Sequence, residues 1–178
     1  MNKWFATVGY RLGQVRQQLG FVAPLTAEEY GEVARFLPSD AFALFQTMSP
    51  ADQRHSLRVC RRLQARGCSE EDMLAAALLH DVGKAQGRVP FWTRPAIVLG
   101  KVLFPRLLAS LTVYPYKDSK LGQLTGWRRA LSYAWYHADV GADLAAQAGL
   151  SEQAVLYIRT HHQAQGPARV LHEVDEVS

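Results

Sequence analysis

The sequence predicts an all-α domain. Helix-capping signals stand at almost every segment boundary, apolar residues recur at three- and four-residue steps, and no run alternates as a strand would. With 178 residues the chain can bury a substantial core, and a hydrophobic content of 48% is that of a folded globular protein. Residues 1–48 read as an N-terminal helical segment packing on a domain at 49–178, and about 86–136 reads as an insert in that domain.

Along residues 1–20, Trp4, Val8, Leu12, Val15 and Leu19 define an amphipathic helix, expected to pack on the domain or dock to a partner or membrane surface. The stretch lacks the apolar run and cleavage site of a signal peptide. Thr26 followed by Glu29 is a capping box opening a short helix that stops before Pro38. Ser49-Pro50-Ala51-Asp52 opens a helix that carries His55 and runs to about Gly67. Ser69 is expected to cap the next helix, which ends in His80-Asp81. A further helix is expected from about His137 to Ala148, stopped by Gly149. Ser151 then caps one running to His162, and a last helix after Gly166-Pro167 carries Asp175.

Residues 95–115 are strongly apolar but contain Gly100, Lys101, Pro105 and Arg106, too interrupted for a clean membrane span. They read as buried or lid helices, with an interfacial segment as the alternative. Residues 84–130 hold nine Lys or Arg and one acid, Asp118, whereas the whole chain carries only +4. This basic segment is either a solvated face or a steering surface for an anion. Trp92, Trp127 and Trp135 read as core, and His172 as a surface residue. Cys60 and Cys68 read as reduced thiols, which suits a cytoplasmic setting.

The stretch AALLHDVGKA (76–85) runs an apolar helix into His80 and Asp81, both costly to bury without partners. His55, His137, His161 and His162 also fall near helix ends, and Asp175 follows the apolar Val174. Imidazoles and carboxylates drawn from several helices are the ingredients of a metal site in a bundle core. Such a mixed nitrogen and oxygen set suits Mn, Fe, Co, Ni or Zn better than calcium.

The order His55, His80-Asp81, Asp175 resembles the H…HD…D signature of the HD-domain metal-dependent phosphohydrolase superfamily. DQRHSLRV, ALLHDVGK, YHADVGADLAAQAGL, VLYIRTHH and VLHEVDEVS carry the likeness. The GYP element that follows in the cyclic-di-GMP-degrading class is missing, since QAQGPARV stands at 163–170. The resemblance implies an HD-like helical bundle whose core holds one or two divalent ions (Mn, Fe, Co, Ni, Zn or Mg). It implies His55, His80, Asp81 and Asp175 as ligands of one metal. His137 with His161, His162 or both would hold a second, and Asp81 would bridge. Asp81 and Lys84 would be the catalytic groups, with Lys84 and Arg88 binding substrate phosphate. The expected reaction is hydrolysis of a phosphomonoester or phosphodiester, of a nucleotide above all, by metal-activated water. Nucleic acid is not the expected partner. The alternative is a non-catalytic HD-like module binding a nucleotide or protein, or a peripheral membrane regulator docking through the basic insert.

Overall fold

The computed structural model describes residues 22–86, 104–115 and 124–178. In chain order they form α1 (Ala27–Val33), α2 (Ser39–Gln46), α3 (Pro50–Ala65), α4 (Glu71–Leu79), α5 (Gly83–Gln86), α6 (Pro105–Leu111), α7 (Gly126–Gln147), α8 (Glu152–Thr160) and α9 (Arg169–Asp175). No strand occurs among the described residues, so the fold there is all-α as expected. None of their helices is long and apolar enough to cross a membrane. The amphipathic helix expected at 1–20, Arg88 and Trp92 lie outside the described residues.

Several caps form as the sequence requires. The Thr26 hydroxyl accepts from the Glu29 amide at 3.2 Å while the Glu29 carboxylate accepts from the Thr26 amide at 2.8 Å. Ser49 accepts from the Asp52 amide at 3.2 Å and Ser151 from the Ala154 amide at 3.0 Å. The Ser151 hydroxyl also donates to Asp72 Oδ1 at 2.6 Å, tying the start of α8 to the start of α4. Gly67 and Gly149 take φ of 86° and 82° just past helix ends, where a side chain would be strained.

Other expectations are corrected. The residue before α4 is Glu70, not Ser69, and it makes no side-chain cap. Its carboxylate instead accepts from the Tyr157 hydroxyl at 2.7 Å, and Glu71 and Asp72 provide the negative charge that suits the helix start. The helix expected from about 137 begins at 126, and the only break is local, at Tyr136 (φ −102°, ψ 15°). Trp127 is 59% exposed rather than core, and Trp135 is half-buried. Phe104 and Leu107 are also exposed, so the described part of the 95–115 segment is not a buried helix. His172 is half-buried, with its Nδ1–H donating to the His161 carbonyl at 3.1 Å.

The core centres on α4, in which every residue from Met73 to Leu79 is buried. A helix apolar all round belongs in the interior, and α3 and α8 pack on it. Leu57, Val59, Cys60 and Leu63 of α3, Ile158 of α8 and Leu171 and Val174 of α9 share one cluster with it. Leu25, Val33, Leu37, Phe45 and Met48 belong to the same cluster. Burial pushes the Cys60 thiol up to about 12, consistent with an inert core residue.

The contact between α5 and α7 is backbone on backbone. A Cβ at Gly83 would stand 2.2 Å from the His137 carbonyl oxygen and 2.9 Å from the Gly141 amide nitrogen. The approach holds Asp81 and His137, on either side of it, in fixed relation. Gly83→Ala is therefore expected to lower stability by about 1–3 kcal/mol. Gly31→Ala, on an exposed face of α1 with open space around it, should raise stability by about 0.5–1 kcal/mol. Chemical denaturation of the two variants checks both signs; equal effects would contradict the tight contact.

Candidate metal centre

Five helices deliver donors to one region. His55 comes from α3, and His80 and Asp81 from the end of α4. His137 follows the Tyr136 break in α7, His161 and His162 end α8, and Asp175 ends α9. Helix ends suit this task because the chain can stop where the apolar face stops, leaving polar groups inside. His80 and His161 are fully buried, His137 and Asp81 nearly so, and His162 is exposed.

The donors fall into two groups. His55, His80 and Asp81 offer ligand atoms within 4.8 Å of one another, as do His137, His161 and His162. Asp175 joins the first, with Oδ1 2.8 Å from His55 Nε2 and 3.5 Å from His80 Nε2. Asp81 faces both. Its Oδ2 is 3.7 Å from His80 Nε2 and its Oδ1 is 3.6 Å from His137 Nε2. Lys84 Nζ lies 2.5 Å from that Oδ1, so the lysine carried by the HDVGK turn pairs with the aspartate.

Three of the imidazoles are aimed by one device. The Nδ1–H groups of His80, His137 and His161 donate to the carbonyls three residues earlier, Ala77, Ala134 and Ile158, at 2.9, 2.9 and 2.6 Å. Fixing the proton on Nδ1 points the Nε2 edge of each ring inward, the arrangement that backbone carbonyls impose on ligating histidines. The buried Nε2 atoms of His80 and His161 have no hydrogen-bond partner, although burying such an atom unsatisfied is costly. His162 Nε2 approaches His137 Nε2 at 2.8 Å. Converging Nε2 atoms beside a carboxylate fit a divalent transition ion by donor chemistry, and a cation would satisfy both orphaned atoms.

His55 is aimed differently. Arg58 Nη2 approaches its Nδ1 at 3.5 Å, and a guanidinium only donates, so Nδ1 accepts and Nε2 donates to Asp175. To ligate through Nε2, His55 would move its proton to Nδ1 and Arg58 would turn away, which its exposed position permits.

The charges follow from burial and neighbours. Burial opposes a carboxylate at Asp81, but Lys84 and His80 outweigh it and hold its pKa well below the usual range. Burial likewise opposes charge on Asp175, and the hydrogen bond from His55 together with the nearby His80 reverses the effect. Burial opposes a proton on His80, yet Asp81 and Asp175 together lift its pKa to about 9. Burial and the Lys84 charge keep His137 well below the usual imidazole value, and burial brings His161 to about 3. The site thus attracts a cation between two ionised carboxylates, by way of a charged His80, while keeping the His137 and His161 imidazoles neutral.

Every expected ligand is drawn into this region. Arg88 alone among the expected site residues lies outside the described ones. Arg58 and His172 were not anticipated as contributors; each is three residues from an anticipated ligand, the helical spacing that could have exposed them. Comparison with protein-family models, curated proteins and solved structures finds no match for the chain.

The pKa directions give a pH profile for protein kept in chelator. Unfolding frees His137 and His161 to take up protons, so stability should fall as pH drops from about 6.5 toward 3. His80 holds its proton more tightly when folded; that contribution is complete below about 6.5 and is lost as pH rises to about 9. Melting temperature should therefore peak near neutrality. Added Mn(II) should remove the alkaline decline by replacing the proton with a metal. Thermal melts from about pH 5 to 9 check this; an alkaline limb unaffected by metal would contradict it.

Proposed function

We propose that this chain is a metal-dependent phosphohydrolase of the HD-domain kind, its bundle holding two divalent ions. The observation that carries the proposal is Asp81, whose two oxygens face two separate histidine groups. His55, His80, Asp81 and Asp175 would hold one ion, and His137, His161 and His162 the other, with Asp81 shared. The H…HD…D order and the aimed Nε2 atoms support the assignment.

Ions held there would make a nucleophile of water near neutral pH and offset charge on phosphoryl oxygens. The protein groups have their own tasks. Asp81 and Asp175, ionised through their neighbours, supply the negative charge that the cations require. The carbonyls of Ala77, Ala134 and Ile158 keep the imidazoles in register. Lys84, about a quarter exposed, is within reach of solvent and would leave Asp81 for a substrate phosphate as a point charge. The substrate class is a phosphomonoester or phosphodiester, for which a nucleotide in the cytoplasm is the natural source.

Initial rates on p-nitrophenyl phosphate and bis(p-nitrophenyl) phosphate, with Mn, Fe, Co, Ni, Zn and Mg in turn, test the proposal. Hydrolysis should require metal, and Asp81→Asn should lower it by about 100-fold or more. Lys84→Ala should cost roughly tenfold, chiefly in kcat/KM. No turnover with any metal, or an Asp81→Asn protein as active as the parent, would overturn the assignment.

A further inference from the structure

We infer that an arginine-lined groove along α3 binds a second anionic group of the substrate, so that the ligand of the metal centre carries two separated phosphates. The inference rests on the hydrolase reading above and narrows its substrate class.

The groove encloses about 300 Å³ and is lined by Arg54, Arg58, Arg61 and Arg62, against one carboxylate, Glu29, with Leu57 among its apolar walls. His55, Arg58 and Arg62 follow one another at helical spacings of three and four, so they share a stripe of α3. Arg58 touches His55, so the groove starts at the edge of the metal centre and runs away from it.

Glu29 offsets part of the charge of Arg54 and Arg61, but the other contacts of the arginines leave the rest in place. Arg62 donates to the Val177 carbonyl and to the Ser178 hydroxyl. Arg54 donates to the carbonyls of Ala23 and Pro24 at 2.6 and 2.7 Å, besides pairing with Glu29. Neutral acceptors orient a guanidinium without cancelling its charge. Arg61 is the member neutralised most directly, by Glu32 at 2.6 Å. Planar guanidinium forks match phosphate oxygens in a way that a lysine cannot.

Arg62 stands roughly 10 Å from His55 along the helix axis. A ligand spanning both would need its two phosphates bridged by a sugar or a short chain. Pyrophosphate would be too short, and a monophosphate would leave the groove unused.

Calorimetric titration of Mn(II)-loaded protein with a butane-bridged bisphosphonate and with butylphosphonate, neither hydrolysable, tests the inference. The bisphosphonate should bind at least about tenfold more tightly. Arg62→Gln should remove most of that advantage while changing butylphosphonate affinity by less than about twofold, and Arg58→Gln should bring the ratio of the two affinities close to one. Arg58→Gln leaves the Arg62 anchor to the last residues intact, so it carries the test if Arg62→Gln fails to fold. Equal affinity for the two ligands on loaded protein, or an advantage surviving Arg58→Gln, overturns the groove alone. Failure to load Mn(II) overturns the hydrolase reading and the groove with it.

Discussion

The Asp81 carboxylate, almost wholly buried, is the constraint around which the rest of the site is arranged. An ionised carboxylate in a protein interior is tolerated only when cations or strong donors surround it. Here Lys84 is at 2.5 Å and the charged His80 at 3.7 Å, with the neutral His137 ring at 3.6 Å. Each arrives from a separate turn or helix, so the carboxylate fixes where α4, α5 and α7 meet. Gly83 makes the meeting possible by leaving no Cβ between the α5 and α7 backbones.

The same economy explains why the donors other than His55 stand at helix ends and at a helix break. A histidine there can give its Nδ1–H to a carbonyl three residues back, and three of the six do so. The apolar length of each helix fills the core and its terminus carries the candidate ligands, so packing and ligation draw on different residues of one element. The order of the histidine rings is continuous: His55 abuts His80, His80 abuts His161, and His161 abuts His137 and His162. Moving any one of these four helices would therefore disturb its neighbours.

Much of this was legible in the sequence because it is written locally. Thr26, Ser49 and Ser151 announce their helices through cap chemistry that needs only four residues of context, and Gly149 announces a stop. Where tertiary contacts decide, local signals mislead. Ser69 looks like a cap, but Glu70 is held by Tyr157 from α8, and the helix starts one residue later. The break at Tyr136 resembles a helix start, which hid the first eleven residues of α7. Trp127 is apolar by type but faces solvent, and α2 after Pro38 was overlooked although Ser39 and Asp40 suit a first turn. The candidate ligands could be picked out because histidine beside aspartate at the end of a buried helix conflicts with burial. Arg58 and His172 raise no such conflict, and their three-residue spacing from His55 and Asp175 is the one local signal they carry.

Sharing of Asp81 between two metal groups is the claim on which the account turns, and elemental analysis of metal per chain tests it most directly. After reconstitution with Mn(II), the parent protein should hold about two ions per chain. Asp81→Ala should hold neither tightly, whereas His162→Ala should keep about one. A parent protein that holds no metal after exposure to Mn, Fe, Co, Ni and Zn would contradict the account, as would an Asp81→Ala variant that still holds two.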